Sequence, residues 1–418
     1  MHRGLRARAL IEAHDRSLNS FVEVLTPGPS REGALAGMTV GVKDCFYDGG
    51  RTPTMGSRVL PGASDATATV LERLRAAGAD IVGYTNLHEW AIGGTSTVTA
   101  TGPVRNPWDL ERIAGGSSGG SAAALAAGFV DGAIGTDTGG SIRIPAGCCG
   151  VVGLKPTQGR VPTAGYIGEG GPTDQIGPMG RDVSTVRTLF ECLIGERLAP
   201  VAAGTWRIGV ATGPPFENVS PEVAGPYEAA VEIISGLGAT RAIYFEDWDA
   251  QWWANMALFL NHTGSQVAED LRRRPSEFNP DAVKVLSWGL SLAPSLIEAQ
   301  LKLRDEAHER WAAMFQEIDV LITPTLPSLP PQIEDLQIRL PEDASHADAA
   351  FGRLCGPMNL AGVPCLSLPC GLAGGLAVGL SISAAPGRDD VALTFGAAFE
   401  DATDRAFTNR TAELRGAG

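Results

Sequence analysis

An α/β fold is the reading this sequence supports, on two observations: short apolar strand-like runs alternate with helix-like segments, and glycines and prolines punctuate them at short intervals. A third observation bears on domain organisation. At 418 residues, ~150 residues per domain allows two or three units, but large α/β sheets run longer as one. No internal repeat and no linker is visible, so residues 1–418 are expected to form a single domain, with residues 249–320 as a helical insertion.

The elements follow in chain order. Residues 5–25 have Leu10, Ile11, Leu18 and Phe21 on one side and predict an amphipathic helix. Met38 to Asp44 reads as a short buried strand ending in Lys43. Val70, Leu71, Leu74 and Ala77 mark a helix stopped by Gly78, and Ile81-Val82-Gly83 is another strand. Gly115 to Ser121 is a loop, Ala122 to Ala127 a helix of small residues, and Ala133-Ile134-Gly135 a buried strand. Residues 206–211 restart the strand pattern, with a helix over 221–236 and a strand over 241–245. The segments 319–324 and 366–382 return to strands, and the Pro-rich 324–331 and acidic 334–348 read as surface excursions.

Composition excludes several functions. With 44% apolar and 19% charged residues the chain is neither disordered nor fibrous. A net charge of −14 opposes nucleic-acid binding, which needs a basic face. The first residues are charged and lack the apolar core of a signal peptide, and no stretch approaches the ~20 apolar residues of a membrane span. Seven cysteines form no CxxC pair, and six histidines no HExxH, so neither a metal nor a cofactor is expected. The odd thiol count predicts reduced, buried cysteines in a cytoplasm.

Two glycine-rich loops bear serines: Gly115-Gly116-Ser117-Ser118-Gly119-Gly120-Ser121 and Gly135-Thr136-Asp137-Thr138-Gly139-Gly140-Ser141. A hydroxyl nucleophile needs a base beside it and N–H donors for the oxyanion. A Gly-Gly-Ser turn supplies such donors, although taken singly each loop is also an ordinary turn. Neither is a phosphate loop, because no Gly-Lys-Ser/Thr follows. Gly115-x-Ser117-x-Gly119 fits a nucleophile elbow, which would need a late histidine: His262, His308 or His346. A serine–lysine system needs none. Burial lowers a lysine pKa and makes it a base, and Lys43 ends an apolar run; the alternative is a lysine snorkelling or paired with Asp44.

The combination resembles the amidase signature family. The resemblance rests on Ile113 to Gly128, on Gly135-Thr-Asp-Thr-Gly-Gly-Ser-Ile-Arg-Ile-Pro-Ala146 and on Cys149 to Thr157. Gly41-Val-Lys-Asp44, Asn106-Pro-Trp108, Asp174 to Met179 and Gly362-Val-Pro364 extend it. It runs over about residues 10–405, with 83–180 as the signature core, and is thin over 200–320. The resemblance implies a mixed, mostly parallel central sheet flanked by helices on both faces. It implies Ser141 as nucleophile, Ser117 after a cis peptide as proton bridge, and Lys43 as base. It further implies an oxyanion hole from Thr138, Gly139, Gly140 and Ser141, with Asp137, Arg143 and Ser118 bracing the loops. Ser118 and Ser121 are also candidate caps for the helix that follows. Ala91, Ile92, Gly93, Gly94, Thr95, Asp174 and Gln175 are expected to line the substrate pocket.

The implied reaction is hydrolysis of a carboxamide, on a small-molecule substrate, by a homodimer. A glutaminase subunit of an amidotransferase complex is the alternative, and a scaffold that keeps the triad by descent a third. The sequence departs from the family at Cys148, where relatives often carry an aromatic residue, and at Ser381, where a glutamine is commoner. Cys148 and Cys149 are therefore read as packing residues. Arg112-Ile-Ala-Gly-Gly-Ser117 and the stretch 281–320 look similar to enzymes of small ureide-type amides, with aryl and aliphatic amides equally open.

Overall fold

A computed structural model describes residues 3–28, 31–168, 170–201, 204–336 and 351–403. The acidic stretch from 337 onward, with His346, lies outside the described residues.

The chain begins with α1 (Arg3–Leu18), β1 (Phe21–Val24), β2 (Thr39–Lys43), α2 (Thr69–Ala76) and β3 (Asp80–Thr85). A small hairpin, β4 (Arg105–Asn106) and β5 (Asp109–Ile113), leads to α3 (Gly119–Ala126), β6 (Gly132–Asp137) and α4 (Arg143–Cys149). Next come β7 (Val152–Lys155), β8 (Gln175–Gly180), α5 (Val183–Ile194), β9 (Trp206–Thr212), α6 (Pro214–Glu217), α7 (Pro221–Ser235) and β10 (Gly238–Tyr244). Three longer helices follow, α8 (Trp248–Arg273), α9 (Pro280–Ser291) and α10 (Pro294–Glu317). The chain closes with β11 (Val320–Pro324), α11 (Gly356–Leu360), β12 (Cys365–Ala373), β13 (Leu376–Ala384) and α12 (Asp389–Ala402).

Eleven strands form one sheet in the order β1-β3-β2-β6-β8-β7-β12-β13-β11-β9-β10. Alternation along a strand sends neighbours to opposite faces: Ile134 packs with α2 and α5 residues such as Leu71 and Leu189, whereas Ala133 joins the alanines of α3. On the first face α5 packs against α2 and α12; on the other α3 packs against α4. The mixed sheet flanked by helices is therefore present, but it is not mostly parallel. Of its ten neighbour pairs, four are parallel and six antiparallel. The central antiparallel strands β6, β8, β7 and β13 are buried along their whole length. Covered on both faces, they do not show the alternation of a half-solvated sheet.

Three local expectations also change. The helix over 5–25 stops at Leu18, because Asp15 accepts the backbone N–H groups of Ser20 and Phe21 at 2.9 and 3.0 Å, and Asn19 turns left-handed at φ 56°. Phe21–Val24 then pairs with β3 as an edge strand. The helix after Ser117 starts at Gly119, so Ser121 lies inside it and caps nothing. The Pro-rich 324–331 is no surface excursion: Leu326 is buried, and the Pro327, Pro330 and Pro331 carbonyls accept bonds from Ser220, Arg112 and Ile113.

Two features place the site. Parallel neighbours β2 and β6 end side by side at Lys43 and Asp137, the strand ends where open α/β sheets bind ligands. Opposite them, Trp248 anchors the start of α8, edge-on to Phe216 and Phe245 at 4.8 and 5.0 Å between ring centres. Such pairs stabilise by about 0.5–1.5 kcal/mol beyond their buried area.

Candidate active site

Lys43 is fully buried at the end of β2. Its Nζ lies 2.7 Å from Ser117 Oγ and 2.7 Å from Thr136 Oγ1. Asp44 does not pair with it; that carboxylate turns to the Arg51 guanidinium at 2.8 Å and to the Thr54 N–H at 3.0 Å. Burial lowers the Lys43 pKa from the ordinary lysine range, and Cys45, Asp174 and Asp137 only partly restore it. An amine so placed sheds its charge more easily than one in water.

Ser117 follows a cis peptide, Gly116–Ser117, in the turn before α3. The two glycine loops are tied together, as the Ser118 N–H donates to the Ser141 carbonyl at 3.2 Å. Ser118 stands at the N-cap of α3, but its hydroxyl bonds the Thr136 backbone at 3.2 and 3.3 Å instead of capping the helix. It braces one loop against the other, while Ser121 reaches Thr85 Oγ1 at 2.7 Å. Between the described Ser117 and Ser141 hydroxyls no hydrogen bond is formed. The lysine-to-serine link is made; the serine-to-serine link is not.

Ser141 is 7% exposed just before α4. Gly140 before it has φ 122°, and a Cβ there would lie 2.6 Å from that of Cys355, so only glycine fits this turn. Beneath lies Asp137, whose carboxylate accepts the Gly140 N–H at 2.8 Å and the Arg143 guanidinium at 2.9 and 3.0 Å. Burial pushes the Asp137 pKa up, but Arg143, Lys155 and Asn359 outweigh it and hold it far below the usual carboxylate range. The bond to Gly140 also corrects an expectation. That N–H is already taken, so of the four expected donors Thr138, Gly139 and Ser141 remain candidates.

Of the expected pocket residues, the loop Ala91–Thr95 does lie against the reactive turn: a Cβ on Gly116 would sit 2.8 Å from the Gly93 carbonyl oxygen. Thr95, however, is buried, with its hydroxyl 3.3 Å from His88 Nδ1 and 2.9 Å from Thr97. Asp174 and Gln175 are engaged with protein groups, although Gln175 Nε2 is buried with no partner among the described residues. The Asp174 oxygens accept the Thr138 and Tyr166 hydroxyls, each at 2.7 Å, and Gln175 Oε1 accepts the Asn359 amide at 3.1 Å. Asp174 is thereby tied to the Thr138 turn, and Gln175 to Asn359. Burial raises the Asp174 pKa to about 6 against the lowering effect of the Thr138 and Tyr166 bonds. Arg112 pins the Pro330 carbonyl at 2.7 Å and takes no part in the lysine–serine contacts.

Five residues escaped the sequence reading: Thr136, His88, Tyr166, Asn255 and Asn359. Thr136 had a signal, lying inside the Gly135 block. Asn359 donates to Asp137 Oδ1 at 2.8 Å and accepts from Arg143 at 2.5 Å across more than two hundred residues, which no local pattern announces. Burial, with Lys43 nearby, lowers the His88 pKa to about 3, so this ring is neutral beside the site. The elbow reading finds no support: Ser117 Oγ is held by Lys43, and His262 Nε2 has no partner among the described residues. Within those residues there is no cluster able to hold a metal ion and no helix long and apolar enough to cross a membrane.

The family model described as Amidase matches residues 26–393. A glutamyl-tRNA(Gln) amidotransferase subunit from Symbiobacterium thermophilum is 35% identical over 90% of this chain and 85% of its own length. Its counterpart from Thermotoga maritima, a solved structure, superposes with a TM-score of 0.84 at 28% identity, over 95% of this chain and 90% of that one. An inhibitor-bound structure, reported for a vestigial protein complex behind the origins of an s-triazine catabolic enzyme, reaches 0.86 at 30% identity, over 96% and 94%.

Proposed function

This chain belongs to the amidase family, and from that premise we propose that it hydrolyses a carboxamide to a carboxylic acid plus ammonia or an amine. The observation that carries the reading is the fully buried Lys43 amine, held 2.7 Å from Ser117 and paired with no carboxylate. A neutral amine can accept a proton from Ser117 while keeping an N–H on Thr136.

Each step then has an owner. Ser141 Oγ attacks the carbonyl carbon, its proton passes to Ser117, and the Ser117 proton passes to Lys43. The oxyanion forms against the N–H groups of Thr138, Gly139 and Ser141. Run in reverse, the relay protonates the leaving nitrogen as the C–N bond breaks, leaving an ester on Ser141. Water, deprotonated by the same relay, attacks that ester and releases the acid. The Ser117–Ser141 contact has to close for this, and catalytic contacts do tighten around bound substrate.

The test is ammonia or amine release by the purified chain from a panel of ureide, aryl and aliphatic amides, with Ser141→Ala as control. A fluorophosphonate should label Ser141, as read by mass spectrometry; a label on Ser117, or none, counts against the reading.

A second reading has its own support in the amidotransferase relatives. In it the chain is a glutaminase subunit that works in a cytoplasmic complex and not as a homodimeric amidase. Ammonia release from glutamine only when partner subunits are added would favour it, and turnover of other amides by the chain alone would oppose it.

A further inference from the structure

α8 belongs to the stretch where the sequence resemblance is thin, yet it reaches the reactive turn. Asn255 on α8 is fully buried and its Nδ2 donates to the Thr138 carbonyl at 2.9 Å. A Cβ on Gly139 would lie 3.3 Å from that same nitrogen and 3.6 Å from Met256 Sδ. Close packing holds the helix in place, since a Cβ on Gly356 of α11 would meet Trp252 of α8 at 2.8 Å.

The Thr138 carbonyl and the Gly139 N–H belong to one peptide unit. In a trans peptide they point in opposite directions, so fixing one fixes the other. The Thr138 side chain is held separately by Asp174, and the next N–H, on Gly140, by Asp137. Of these three groups, the 138–139 peptide plane is the one held from α8. Asn255 Oδ1 is buried and has no hydrogen-bond partner among the described residues, so the amide is tied down through its donor end alone.

We propose that Asn255 is a positioning residue that aims the Gly139 N–H at the oxyanion. This rests on the amide-hydrolase reading above. It places an adjustable part of that hole on α8 and not in the glycine-rich motif.

The experiment compares wild type with Asn255→Asp, which turns an acceptor toward the Thr138 carbonyl, and with Asn255→Leu, which removes the donor. Rates are normalised to sites titrated by a fluorophosphonate, so only competent protein counts, and thermal midpoints are recorded beside them. Should the Asp variant not fold, Asn255→Ser carries the same expectation. We expect kcat per titrated site to fall about 10- to 100-fold, less than the ~10²–10³ for deleting an oxyanion donor outright. KM should stay within about 3-fold, and the pH inflection set by Lys43 should not move. Unchanged kcat per site, or a raised KM with kcat intact, overturns the proposal while leaving the hydrolase reading in place. A wild-type chain that neither turns over amides nor reacts with the fluorophosphonate takes both down together.

Discussion

Lys43 and Lys155 both end strands, and both are fully buried, yet their surroundings differ in kind. Lys43 faces two hydroxyls. Lys155 donates to the Pro156 carbonyl at 3.0 Å, beside Asp389, Asp137 and Arg143. Burial lowers both pKa values; for Lys155, with Arg143 adding to it and Asp137, Cys365 and Asp389 opposing, the result is about 8. Burial by itself therefore does not mark a base. A carbonyl can only accept, whereas a hydroxyl can take a proton and pass one on. The comparison favours Lys43 as the proposed base, since only it faces hydroxyls.

The largest expected effect separates the two directly. Lys43→Met should lower kcat by ~10³- to 10⁴-fold, and Ser117→Ala should add little to it, because relay partners act as a unit. Lys155→Met should leave kcat per titrated site within about 3-fold while shifting the melting temperature. Equal losses of kcat in both variants would break the comparison.

Next in size is the pair that supports the oxyanion turn. Arg143→Met strands the Asp137 carboxylate, which is fully buried, and should cost about 3–5 kcal/mol in denaturant unfolding. A cost near zero would mean that the pair does not hold the turn.

The pH–rate profile sharpens the lysine assignment. kcat/KM should rise as Lys43 loses its proton and level off below the ordinary lysine value of ~10.4, since burial lowers its pKa. Lys155 titrates at about 8, so it is the competing explanation for such a limb. The inflection should survive in Lys155→Met. A profile flat from about pH 5 to about pH 9, or an inflection lost with Lys155, contradicts the assignment.

Thr136→Val, which removes one of the two hydroxyls on the amine, should cost about 10-fold in kcat with little change in KM. The smallest effect is on stability. Both lysines have folded pKa values below the unfolded one, so the unfolded chain binds more protons between the two values. Folding stability should therefore rise with pH in that window, from about 8 to ~10.4 for Lys155. Replacing either lysine by methionine should flatten that rise.

Much of this was legible locally. The paired Gly-Ser loops, a lysine closing an apolar run, and the helix stop at Gly78 are short-range features that the residues themselves dictate. What misled was also physical. Asp15 ends α1 through side-chain bonds to residues beyond it, and burial on both faces leaves strand direction unmarked in the pattern of residues. Asp174 and Gln175 sit in a recognisable motif, but their contacts with Thr138, Tyr166 and Asn359 are made outside it, and no local pattern shows them.

By itself the sequence determined which groups are candidates for the chemistry: hydroxyls on glycine turns, one amine, and backbone N–H donors. Those depend on residue type and on neighbours along the chain. The tertiary structure alone decided which lysine meets a hydroxyl, which N–H groups remain for an oxyanion, and that α8 grips the turn through Asn255. The Lys43–Ser117 and Asn255–Thr138 contacts join residues 74 and 117 positions apart, and the chemistry of all three depends on desolvation and angle, which exist only once the sheet and its helices have packed.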